Sequence, residues 1–177
     1  SYIDLHCERI QDGLFDEPLN TVSNLCILAA AYFLYKDIKA KNIKSLTVKI
    51  LVILVALISI GSTTFHMTAR MWGAIMDVLP IAIFALIFIY SICHRIFTLS
   101  NAQSVLAIGI FFVYNVILKS LFDKMPDGYV SLFPSILVLC ILSLHAIKTQ
   151  NPSANVMGKA TLIAFVASCC LLYTSDA

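Results

Sequence analysis

Six apolar runs, each close to the length of a membrane-crossing helix, dominate the chain. They are roughly Leu19 to Tyr35, Leu46 to Phe65, Ile75 to Phe97, Ser104 to Leu121, Leu132 to Ile147 and Lys159 to Tyr173. A helix needs about 20 mostly apolar residues to cross about 30 Å of hydrocarbon. Runs this long lack the period-2 alternation of a membrane barrel, so the expected fold class is all-α, an integral membrane helical bundle. Composition agrees: 60% of the 177 residues are hydrophobic and 12% charged, where soluble domains carry about 25% charged residues. No soluble core absorbs that much apolar chain.

The breaks between runs carry loop chemistry. They are a Lys-rich stretch at 36 to 49, Ser100 with Asn101, then Pro126, Asp127 and Gly128, and finally Asn151, Pro152 and Ser153. No repeat, linker or low-complexity segment interrupts them, so one domain over 1–177 is expected. Orientation follows from the basic residues. Lys36, Lys39, Lys41, Lys44, Lys49, Arg95, Lys148 and Lys159 fall on one side, against Arg9, Arg70, Lys119 and Lys124 on the other. Short cytoplasmic loops are enriched in Lys and Arg, which puts the N-terminus outside the cytoplasm.

A net charge of +2 with scattered lysines argues against a nucleic-acid partner. The six cysteines form no CxxC pair and mostly sit inside apolar runs, where a thiol acts as a small hydrophobe. Neither a disulfide framework nor a thiolate metal site is expected. Ser1 to Pro18 is polar and acidic, without the basic and apolar regions of a signal peptide.

Ionisable groups at membrane depth are costly and usually functional. Ser62 and His66 are four residues apart at the end of the second run and share a helix face. Asp77 opens the third run on the same side, across a short connection containing Arg70, Trp72 and Gly73. Imidazole can ligate Zn²⁺, a carboxylate can act as general base, and a hydroxyl can donate to an oxyanion. The same three residues also suit plain helix capping and backbone hydrogen bonding, and spacing alone leaves both readings open.

A second set, Asp4, Glu8, Asp16, Glu17, Asn20, Ser23 and Asn24, gathers at the mouth of the first helix. Clustered oxygens suit Ca²⁺; capping, with Pro18 in the first turn, suits them equally. His94 and His145 read as structural or interfacial, and nothing in its spacing ties His6 to the site.

Two blocks carry a resemblance. The first is Cys7-Glu8-Arg9 followed by Glu17-Pro18-Leu19-Asn20-Thr21-Val22-Ser23-Asn24-Leu25. The second is Gly61-Ser62-Thr63-Thr64-Phe65-His66-Met67-Thr68 followed by Asp77-Val78-Leu79-Pro80. In order and spacing they resemble the CE…E-x-x-NTxSNL and GSxxFHxT…DELPM patterns of the alkaline ceramidase family. That family lies within a superfamily of seven-helix membrane hydrolases that includes adiponectin-receptor-like proteins. The blocks cover most of the first 80 residues; beyond them the likeness is one of hydropathy.

The resemblance implies that His66 is one of three zinc-ligating histidines, with Ser62 and Asp77 about the reacting water. It implies that Glu8, Glu17, Asp4 and Asn20 contribute to a calcium site. The implied activity is hydrolysis of the amide bond of ceramide or a related N-acyl lipid. A lipid-binding receptor or scaffold without turnover is the alternative, and a small transporter is a third. Val78 replaces a Glu of the eukaryotic pattern, which points to a bacterial branch and an inner-membrane location. The family's other two zinc histidines form an H-x-x-x-H pair on a seventh helix, and this chain has no such pair. The expectation is therefore six helices of seven, in a fragment inactive by itself.

Overall fold

A computed structural model describes residues 17–121, Gly13 and individual positions between 137 and 149. Four helices fill the described residues: α1 Pro18–Ala40, α2 Leu46–Thr68, α3 Met71–Arg95 and α4 Asn101–Leu121. Each is long and apolar enough to cross a membrane. At 1.5 Å per residue, a helix of 23 residues spans about 34 Å. The described residues contain no strand, and the all-α class stands. Of the two remaining expected runs, the fifth is described only at separate positions, which are helical, and the sixth lies outside the described residues. The chain divides into two units that part between Ser91 and Ile92, in the last turn of α3.

In the first unit, Pro18 opens α1, where its missing N–H costs nothing. Thr21, Asn24, Ala31 and Ile38 form the buried stripe of α1, at spacings that keep one seam facing a neighbour. Leu54, Ser59, Gly61 and Phe65 are buried on α2. Ser59 Oγ donates to the Asn24 carbonyl at 2.7 Å, a buried link between the two helices. On the outer sides Leu19, Val22, Leu25, Phe33, Ile53 and Leu57 are exposed. Such a display belongs in lipid, as in a multi-pass membrane protein.

Helix α1 runs past the expected Tyr35 to Ala40, so Lys36 and Lys39 lie on the helix and not in the loop. Their stems lie along the helix and their ammonium groups sit over the rings of Tyr32 and Tyr35, 5.7 and 5.1 Å from the centroids. Long basic side chains snorkel in this way and prolong a helix into the interface.

The α2–α3 connection is also shorter than expected. Ala69 closes α2 in the left-handed region, φ 46°, with its N–H on the Phe65 carbonyl at 2.7 Å. Helix α3 begins at Met71, so Trp72 and Gly73 fall in its first turn. Asp77 thus stands in the second turn of α3 and not at its start.

Two glycines let α2 and α3 touch through their backbones. A Cβ on Gly61 would stand 2.0 Å from the Met76 carbonyl oxygen and 3.1 Å from Asp77 Cα. A Cβ on Gly73 would stand 3.2 Å from Phe65 Cα. Pro80 lies inside α3 and lacks the N–H that would bond the carbonyl four residues earlier, that of Met76. The carbonyl released by Pro80 is therefore the one that packs on Gly61, an approach only a residue without a side chain permits.

In the second unit, Ser100 and Gln103 cap α4 reciprocally. Gln103 Oε1 accepts from Ser100 N–H at 2.9 Å, and Ser100 Oγ accepts from Gln103 N–H at 3.3 Å. Asn115 Nδ2 donates to the Phe111 carbonyl, which satisfies an amide donor at membrane depth. Phe97 meets His145 edge to face at 4.6 Å.

Candidate active site

The first turn of α1 and the last turn of α2 come together because the two helices form an antiparallel hairpin. Asn24 lies two turns past Glu17 on α1, and Ser59 lies two turns before His66 on α2. The register that joins Ser59 to Asn24 therefore also joins His66 to Glu17. His66 Nδ1 is 2.5 Å from Glu17 Oε2, with the side chains 12% and 2% exposed.

A carboxylate this deeply shielded needs a partner, since an unpaired buried charge is strongly unfavourable. With Nδ1 turned to Glu17, the ring's other nitrogen, Nε2, is left for a further partner. The backbone carbonyl of Glu17 meanwhile accepts from Thr21 N–H at 2.9 Å, anchoring the pair to the start of α1.

The hydroxyls of α2 divide by partner. Thr63, Thr64 and Thr68 each donate to the carbonyl four residues earlier, and Ser59 donates to Asn24. Among the described residues, Ser62 Oγ has no intramolecular partner. It stands one turn before His66 on the same face and next to Gly61. Asp77 is carried to that same turn by the Gly61 contact, with its Oδ1 shielded from solvent. Ser62 and His66 lie at one end of α2, and Asp77 stands beside that end through the Gly61 contact.

Of the second set, Glu17 is the N-cap residue of α1 and Asn20 lies in its first turn, and Ser23 Oγ donates to the Asn20 carbonyl at 2.9 Å. Glu17 has one of its oxygens on His66. Asp4, His6, Glu8 and Asp16 lie outside the described residues. Among the described residues no group of three or more His, Cys, Asp or Glu is gathered closely enough to hold a metal ion.

A zinc ion suits what is present at one ligand position. His66 offers an imidazole whose other nitrogen is held by a buried carboxylate, the arrangement that orients zinc-bound histidines. Sequence reasoning missed the Glu17–His66 pair and the roles of Asn24 and Ser59. The repeat of Glu17, Asn24, Ala31 and Ile38 at sevenfold spacing was the available signal.

A family model described as Ceramidase matches residues 9–175 of the chain. No curated protein and no solved structure matches it.

Proposed function

The chain belongs to the ceramidase family, and on that premise we propose that it is a zinc-dependent hydrolase working within the membrane on the amide bond of ceramide or a related N-acyl lipid. Family membership supports a lipid hydrolase in general. The buried Glu17–His66 pair is the observation that carries the zinc reading, because a carboxylate on Nδ1 is the usual support of a histidine that ligates metal through Nε2.

His66 is one of the three protein ligands that catalytic zinc takes. The H-x-x-x-H pair implied for the other two is not among the chain's four histidines. When bound, zinc supplies a Lewis acid for the amide carbonyl and makes water more acidic. Asp77 removes a proton as the water oxygen attacks the carbonyl carbon, then delivers it to the amine nitrogen as the C–N bond breaks. A fatty acid and a sphingoid amine leave. Ser62 Oγ, which has no hydrogen-bond partner among the described residues, donates to the oxyanion of the tetrahedral intermediate.

Calcium is the second proposed cofactor, and Asp4, Glu8, Glu17 and Asn20 are the residues that would hold it. The remaining features of the proposal are one domain, six membrane helices of a seven-helix unit, a non-cytoplasmic N-terminus and a bacterial inner membrane. The lysines at the α1–α2 turn support that orientation.

The test uses the purified full-length protein. His66→Ala abolishes ceramide hydrolysis and lowers zinc content, whereas Asp77→Asn abolishes hydrolysis with zinc retained. Turnover by either variant at the parent rate overturns the assignment.

A further inference from the structure

The opposite end of the α1–α2 hairpin concentrates a different chemistry. Lys36, Lys39, Lys41, Lys44 and Lys49 are all exposed there, beside one acid, Asp37, whose carboxylate is taken by Lys41 at 2.7 Å. Next to them an apolar groove of about 660 Å³ opens between the helices. Leu25, Leu28 and Ile53 form walls, and Ala29, Ala31 and Ala56 leave the space that larger side chains would fill.

Tyr32 and Tyr35 link the two features. Both rings line the groove, and Lys36 and Lys39 sit over them. Two ammonium groups therefore stand at its rim. Lys49 lies four residues before the groove residue Ile53, on the same face of α2 and one turn nearer the loop. The three cations crown a slot whose size falls within the range of ligand sites, about 300–1,000 Å³.

We propose that this groove binds an anionic phospholipid, with an acyl chain along Leu25, Leu28 and Ile53 and the phosphate against Lys36, Lys39 and Lys49. Charge complementarity selects the headgroup. With Asp37 neutralised by Lys41, the other four lysines attract a net negative phosphate, and a zwitterionic headgroup brings an ammonium that they repel. The apolar lining selects a lipid over a free anion, since inorganic phosphate gains nothing from the slot. The tyrosines mark the interfacial depth where headgroup and chain meet. This site lies at the far end of the hairpin from His66 and is independent of the hydrolase reading.

The experiment extracts the full chain into detergent from vesicles of equal phosphatidylglycerol and phosphatidylcholine, and measures retained lipid by mass spectrometry. The expected result is retention of phosphatidylglycerol over phosphatidylcholine by about tenfold or more, each lysine adding its own attraction. Lys36→Gln with Lys39→Gln and Lys49→Gln abolishes the preference, the corresponding triple arginine variant keeps it, and Ala29→Phe reduces retention of both lipids with the lysines intact. Equal retention of the two lipids by the parent overturns the proposal. So does a triple glutamine variant, folded by circular dichroism, that keeps the preference. Displacement of phosphatidylglycerol by millimolar inorganic phosphate also overturns it, because the lysines are then a simple anion site.

Discussion

His66 Nδ1 and Glu17 Oε2 lie 2.5 Å apart, joining the last turn of α2 to the N-cap residue of α1. Glutamate at position 17 holds the imidazole by Nδ1 and so orients the ring with its opposite nitrogen turned away from α1. Glu17→Gln keeps the shape and loses the charge. Changes at a carboxylate behind a metal-bound histidine cost about 10–100-fold in metal affinity. Zinc affinity of the full-length protein, read by chelator competition, is expected to fall by that factor. Unchanged affinity would show that the pair serves only to join the helices.

Gly61 sets how closely α2 and α3 approach, and with it where Asp77 stands. A methyl group there meets the Met76 carbonyl, a backbone atom that cannot turn aside. Gly61→Ala is expected to destabilise the protein by about 1–3 kcal/mol, the usual cost of overpacking. It also separates Asp77 from the Ser62 turn, so activity falls more than stability alone requires. Gly109 in α4 is the control. A Cβ there meets nothing within 4 Å among the described residues, so Gly109→Ala is neutral or stabilising in thermal unfolding.

Two polar residues in the α1–α2 seam predict opposite responses. Ser59, 2% exposed, spends its hydroxyl on the Asn24 carbonyl, and Ser59→Ala is expected to cost about 0.6–1 kcal/mol. Asn24 Nδ2 is buried with no hydrogen-bond partner among the described residues. An unsatisfied donor of that kind is unfavourable, so Asn24→Leu, which leaves the backbone carbonyl for Ser59, is expected to match or exceed the parent in stability. Unfolding midpoints of both variants in detergent check the pair.

Hydropathy made the four described helices legible because a span is set by apolar length, a property of the sequence alone. The Ser100–Gln103 cap is equally local, three residues apart and written as S-x-x-Q. Helix ends were harder. The hydropathy of Lys36 and Lys39 says loop, yet each uses a tyrosine one turn back and keeps α1 helical to Ala40. At Ala69 no Gly or Asn announces the left-handed turn that brings α3 directly after α2. In the candidate site, Ser62, His66 and Asp77 were visible as types at a spacing. Glu17 against His66 was not, because it depends on the register of two helices, and that register shows only once Asn24 and Ser59 are known to face each other.

Ser62 stands out from its neighbours by having, among the described residues, no intramolecular partner for its hydroxyl. Thr63 and Thr64 are held by the carbonyls of Ser59 and Ile60, so their side chains serve the helix itself. A hydroxyl without such a bond can turn toward an oxyanion as it forms, and removing one oxyanion donor costs about 10²–10³ in kcat. Ser62→Ala in the full-length protein is therefore expected to lower kcat on ceramide by that factor while KM and zinc content stay close to the parent. Thr63→Ala and Thr64→Ala each remove only a bond from a side chain to its own helix, and their kcat should remain within a few-fold of the parent. A Ser62→Ala variant as active as these two would place the oxyanion donor elsewhere, with Ser62 left as a small residue that lets substrate approach His66.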